Sequence, residues 1–167
     1  MALKSSSSME GKKAPAFSLK DKDGKEHALK EFAGRVVVLF FYPRDNTPGC
    51  TIEATEFSSN LKKLRKIGVE IIGVSGGDDK TKRKFCEKND LSVLLLSDTD
   101  FEVANRYGVY GEKSFMGRKF LGIHRTTFVI KKDGVIEKVF EKVTPKGHAD
   151  QIIEFIAERR LKGGSKN

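Results

Sequence analysis

A cysteine in the first turn of a helix is placed to act as a reagent. Thr47-Pro48-Gly49-Cys50 puts one there, between the apolar run ending in Phe40-Phe41-Tyr42-Pro43 and a helical pattern. The unsatisfied N–H groups of a helix start carry roughly half a positive charge, and thiols held there have pKa values lowered from about 8.5 toward ~3.5–7.5. The helix is read from Cys50, Ala54, Phe57, Leu61 and Leu64, which recur at i, i+4, i+7, i+11 and i+14 as one apolar stripe. Glu53 and Glu56 fall in its early turns and Lys62, Lys63, Arg65 and Lys66 in its late ones, an order that follows the macrodipole. Cys50 is therefore expected on the packed face, recessed but reachable at the helix mouth. The competing reading is a buried small hydrophobe, the common fate of a free cysteine, and helix position alone leaves both open.

The elements that must hold this helix alternate strand and helix, the pattern of an α/β domain. Residues 16–29 read as a hairpin turning at Asp23-Gly24, and 36–41 as a buried central strand. After the Cys50 helix come a strand over 69–74, a helix over 79–88, a strand over 93–96 and a helix over 100–107. A glycine-rich connection over 108–122 leads to strands at 126–130 and 135–140, turned at Asp133-Gly134, and a last helix covers about 146–160. No internal repeat is present. The expected division is a disordered tail or tag over 1–10, one domain over 11–161 and a disordered tail over 162–167.

The spacing Pro43-x-x-x-Thr47-x-x-Cys50 resembles the active-site signature of the peroxiredoxins. A longer series of ordered segments is similar to the bacterioferritin comigratory protein, or Q-type, peroxiredoxins: Phe41 through Thr51, Glu53-Ala54, Gly73-Val74-Ser75, Leu96-Ser97-Asp98, Gly111-Glu112-Lys113 and Arg125 through Ile130. The resemblance runs from about Gly11 to Ile156. It implies a thioredoxin-like α/β fold with an N-terminal β-hairpin and a central insertion. It also implies a thiol-dependent peroxidase acting on hydrogen peroxide and organic hydroperoxides without a cofactor. In that scheme the Cys50 thiolate attacks the terminal peroxide oxygen and becomes a sulfenic acid. The Thr47 hydroxyl orients the peroxide and the Pro43 ring shields the sulfur. Arg125 stabilises the thiolate and the charge growing on the leaving oxygen. From its neighbours alone Arg125 reads as a solvated strand-edge charge. Glu53 matches a family position as a secondary site residue, although the helix dipole alone explains a glutamate there.

Many members of this subgroup carry a second cysteine five residues after the first, where this chain has Thr55. The other cysteine is Cys86, in Phe85-Cys86-Glu87-Lys88, and its context resembles the subgroup's alternative arrangement, with the resolving cysteine on the next helix. The resemblance implies an intramolecular Cys50–Cys86 disulfide reduced by thioredoxin or a similar dithiol. Between Asp78 and Lys88 only Phe85 is large and apolar, so this helix is expected to be weakly held and to melt on oxidation. The alternative is a one-cysteine peroxidase resolved by an external thiol, with Cys86 incidental.

Composition bounds the remaining classes. At 167 residues the chain suits one domain with a proper core. Two distant cysteines and no apparent secretory leader predict a reducing compartment, the cytoplasm. No apolar stretch approaches the ~20 residues of a membrane span. His27, His124 and His148 stand too far apart to suggest a metal site, and Gly73-x-x-Gly76-Gly77 fits no phosphate-loop pattern. The formal charge of +9, with basic runs at 62–66 and 80–84, keeps a nucleic-acid-binding or holdase module as the non-enzymatic alternative. Both runs lie on helices whose outer faces must be polar, and no aromatic residues alternate with them. A monomer is expected by analogy with the subgroup.

Overall fold

The computed structural model describes residues 6–163. Nine strands and four α-helices follow in order, with two short 3-10 turns at Ser6–Met9 and Leu29–Phe32. They are β1 (Ser18–Lys20), β2 (Glu26–Ala28), β3 (Val36–Phe41), α1 (Pro48–Lys66), β4 (Val69–Ser75), α2 (Asp79–Asn89), β5 (Leu94–Ser97), α3 (Glu102–Arg106), β6 (Tyr110–Phe115), β7 (Arg118–Ile123), β8 (Thr126–Ile130), β9 (Ile136–Phe140) and α4 (His148–Gly163).

Seven strands form one mixed sheet in the order β2-β1-β5-β4-β3-β8-β9. Inside it β3, buried at every residue, lies between β4, to which it is parallel with Val38 opposite Ile71, and β8, to which it is antiparallel with Phe40 opposite Thr127. A strand buried on both faces reads as a continuous apolar run, as Val36-Val37-Val38-Leu39-Phe40-Phe41 does. Alternate residues feed two cores. Val36, Val38 and Phe40 pack with α1, α2 and α4, while Val37, Leu39 and Phe41 pack with α3 and the N-terminal segment. This is the expected thioredoxin-like arrangement, with the β1–β2 hairpin at one edge.

The stripe read on α1 is the buried one: Cys50, Ala54, Phe57, Leu61 and Leu64 are each no more than 3 % exposed. Phe57 stacks on Phe40 of the central strand at 4.7 Å, which fixes the helix on the sheet.

Three expectations need correction. The glycine-rich connection over 108–122, read without strands of its own, contains the β6–β7 ribbon, paired from Tyr110–Ile123 to Phe115–Arg118 and separate from the main sheet. Ser6–Met9, expected within a disordered tail, forms a turn in which the buried Ser6 hydroxyl donates to Glu141 at 2.6 Å. Residues 1–5 of that tail lie outside the described residues; the expected C-terminal tail overlaps α4, and 164–167 lie outside as well. The third correction concerns α2. Phe85, its sole large apolar residue, is fully buried, but it is not the only anchor, because Lys82 of the basic run is also fully buried and is ion-paired to Asp45 at 3.0 Å.

Candidate active site

The site forms where β3 ends and β8 begins. Their antiparallel register sets Phe41 opposite Thr126, so the residues just beyond, Tyr42-Pro43 on one strand and Arg125 on the other, emerge together at one edge of the sheet. From β3 the chain crosses a loop over 43–47 and enters α1 with Thr47 as N-cap and Pro48 in the first turn. Pro suits that position because its missing N–H would be unpaired there anyway. Cys50 follows one turn in, 1 % exposed.

Arg125 spans two partners. One guanidinium nitrogen donates to Cys50 Sγ at 3.4 Å and the other to Glu53 Oε1 at 2.6 Å. The close approach depends on Gly49, where a Cβ would stand 3.2 Å from both the Arg125 Nη2 and the Pro145 ring. Burial opposes the charge on Arg125, yet Cys50 and Glu53 together outweigh it and hold the guanidinium above its ordinary range. Lys113 of β6 lies within electrostatic reach of Cys50 and Arg125; burial, reinforced by Arg125, lowers its ammonium.

The structure thus brings Cys50, Glu53 and Arg125 into direct contact. Thr47 caps the helix that carries Cys50 and Pro43 follows β3 into the same loop, but the Thr47 hydroxyl donates to the Arg44 carbonyl at 3.2 Å rather than to the sulfur. Pro43 and Thr47 line an open pocket of about 580 Å³ with Phe101, Lys113, Phe120 and Leu121. Cys86 is elsewhere in the same core, 5 % exposed, and burial pushes its thiol up. Both cysteines are free. Glu53, expected as a secondary site residue from family likeness and otherwise explained by the helix dipole, sits three residues after Cys50 on the same helix face, which is the signal that pairs it with the sulfur's partner. Nothing in the local sequence of Asp45, Lys82 or Lys113 marks them as part of this region.

Glu53 carries a testable consequence. Its side chain is fully buried and Oε2 has no partner, so burial raises its carboxyl to about 7 despite the lowering by Arg125. A folded value above the unfolded one of 4.5 means that the folded state favours the proton. Stability is then fully present below pH ~4.5 and falls by roughly 3 kcal/mol as pH rises to about 7. Glu53→Gln should abolish that decline. Urea unfolding of both proteins between pH 4 and 8 checks it, and parallel curves would contradict it.

A thiol at a helix mouth, at the edge of a thioredoxin-like sheet and under a guanidinium, defines the peroxiredoxin class of site. The sequence profile of the AhpC/TSA family matches residues 10–139, and the chain belongs to this family, in its Bcp or peroxiredoxin Q branch. It is 43 % identical over 145 residues to peroxiredoxin Bcp of Escherichia coli, covering 87 % of this chain and 93 % of that one. A Bcp-type relative from Helicobacter pylori is 45 % identical over 146 residues, 87 % of this chain and 96 % of that one. Among solved structures, the Xanthomonas campestris bacterioferritin comigratory protein, described by its alkyl peroxide reduction activity, superposes with a TM-score of 0.80 at 33 % identity, covering 86 % of this chain and 91 % of that one. Two further structures of peroxiredoxin Q from that organism carry cysteine-to-serine replacements at positions spaced as Cys50 and Cys86 are. The protein is accordingly a thiol-dependent peroxidase. No helix among the described residues is long and apolar enough to cross a membrane.

Proposed function

We propose that Cys50 is the peroxide-attacking residue of this enzyme and that Cys86 resolves it. The observation that carries the reading is the Arg125 guanidinium, 3.4 Å from the Cys50 sulfur and braced by Glu53 at 2.6 Å. The ionised sulfur attacks the terminal oxygen of ROOH. An S–O bond forms as the O–O bond breaks, and the electron pair leaves on the RO oxygen, which takes a proton from solvent to depart as water or an alcohol. Arg125 offsets the charge on both the sulfur and the leaving oxygen. The Thr47 hydroxyl exchanges its bond to Arg44 for one to the peroxide, and the Pro43 ring limits water at the sulfur. The adjoining pocket of about 580 Å³, with Phe101, Phe120 and Leu121 in its wall, offers room for an organic substituent on the hydroperoxide.

The Cys50 sulfenic acid then condenses with the Cys86 thiol, forming the S–S bond and expelling water. An external dithiol such as thioredoxin returns both thiols and is itself oxidised to a disulfide. Both cysteines are buried on different helices, so bridging them requires α2 to leave its seat. Two free, buried cysteines suit a reducing compartment such as the cytoplasm.

Cys86→Ser tests the second half. Treated with one equivalent of peroxide, the wild-type protein should lose the mass of two hydrogens and recover it with thioredoxin. The variant should instead gain one oxygen at Cys50, with thioredoxin-linked turnover down more than roughly tenfold. Undiminished turnover would favour a one-cysteine enzyme.

A further inference from the structure

Lys82 lies on α2 one turn before Cys86 with its side chain fully buried, an ammonium removed from water, which is tolerated only when its protons are bonded. All three are. Nζ donates to Asp45 Oδ2 at 3.0 Å, to Ser75 Oγ at 2.7 Å and to the Gly77 carbonyl at 3.1 Å. Asp45 is equally enclosed, and its Oδ1 accepts from the Tyr42 hydroxyl at 2.6 Å and from Ser75 Oγ at 3.3 Å. A Cβ on Gly77 would stand 2.3 Å from Asp45 Oδ2, so glycine is what lets the backbone close over the pair. Asp45 sits midway along the 43–47 loop, which ends at Thr47, the N-cap of the helix that carries Cys50. The loop is therefore fastened by the helix that carries the second cysteine, across 37 residues of sequence.

We propose that Lys82 is a positioning residue for peroxide reduction: through Asp45 it fixes the 43–47 loop against Cys50, and by the same bonds it locks Cys86 inside the core. The inference rests on the reading of Cys50 as the attacking thiol. A well-packed apolar residue would serve stability as well as a buried ion pair does. What the pair adds is direction, since short bonds set a register that apolar contact leaves loose. While the ammonium is seated, the loop is in place and Cys86 is enclosed. When α2 departs, the ammonium leaves with it, Asp45 is stranded and the loop is released. The geometry for attack and the exposure of the second thiol thus exclude one another.

The test uses the reduced, full-length protein carrying Lys82→Met together with Asp45→Asn, which keeps the volume and leaves no unpaired buried charge; Lys82→Met alone is run beside it. Circular dichroism and the thermal transition should show the double variant folded. Its rate constant with hydrogen peroxide in rapid mixing should fall about tenfold, while alkylation of Cys50 by iodoacetamide, which needs no oriented peroxide, should not fall. In a Cys50→Ser background, alkylation of Cys86 should rise about tenfold. A general loss of structure would move both Cys50 reactions together and overturns the proposal, as does an unchanged peroxide rate or an unchanged Cys86 alkylation rate. Alkylation does not require a disulfide, so failure of Cys86 as the resolving thiol appears separately, in the Cys86→Ser turnover. Failure of the Cys50 reading appears as a wild-type Cys50 that does not react with peroxide.

Discussion

Cys50→Ser should abolish peroxide consumption, lowering the rate by more than roughly 10³-fold with either dithiothreitol or thioredoxin as reductant. Oxygen replaces sulfur with almost no change of shape, and a hydroxyl can accept the Arg125 bond that Sγ accepts at 3.4 Å. The fold and the core around α1 should therefore survive, which a thermal transition near that of the wild type would confirm. What is lost is the proposed nucleophile. A serine hydroxyl stays protonated at neutral pH even under a guanidinium, and its oxygen attacks an O–O bond poorly. Cys86 cannot substitute, because it is buried away from Arg125 and burial pushes its thiol up, away from the reactive form. Turnover above a tenth of the wild-type value in Cys50→Ser would mean that the chemistry lies elsewhere.

Arg125→Ala should cost about 10²–10³-fold in peroxide turnover, and it should also cost stability. In the proposed mechanism the guanidinium stabilises charge on the sulfur and on the leaving oxygen, and it is the sole ion-pair partner of Glu53 among the described residues. Without it the Glu53 carboxylate is left buried and unpaired, a defect worth roughly 3–5 kcal/mol unless the group takes up a proton. The two losses can be separated. Arg125→Ala combined with Glu53→Gln should regain most of the stability and none of the activity. Arg125→Lys should fall between wild type and alanine, since an ammonium is a point charge without the fork that reaches Cys50 and Glu53 together. If the double variant recovered peroxide turnover, Arg125 would be acting only through Glu53 and not on the sulfur.

Much of this architecture was legible in the sequence because local rules and global packing agree. The β3 run has no polar interruption and was read with its observed bounds, and the α1 stripe recurs at helical spacing, so its buried face was read residue by residue. The β6–β7 ribbon was not legible. Its residues are mostly exposed, with Phe115, Phe120 and Leu121 facing outward, so the alternation that betrays a half-buried strand is missing. Its turn uses Met116 at a positive φ of 51° followed by Gly117, a pattern that composition reads as loop. Lys82 was missed for a different reason. Within Lys80-Thr81-Lys82-Arg83-Lys84 nothing local marks one lysine as buried, and Asp45, which makes its burial tolerable, lies on another element. Of the proposed site residues, Cys50 was placed at a helix start by its own segment, but its choice over a buried hydrophobe, like that of Arg125 over a strand-edge charge, came from family likeness, since nothing in the Arg125 segment shows the turn from strand edge toward the sulfur.

The most direct test is to locate the first oxidation product. Reduced Cys86→Ser protein, mixed with one equivalent of hydrogen peroxide in the presence of a sulfenic-acid-trapping diketone, is digested and its peptides are weighed. A single adduct on Cys50, formed at the rate of peroxide consumption and lost in Arg125→Ala, is the predicted result. Peroxide consumed with no adduct on Cys50 would contradict the assignment.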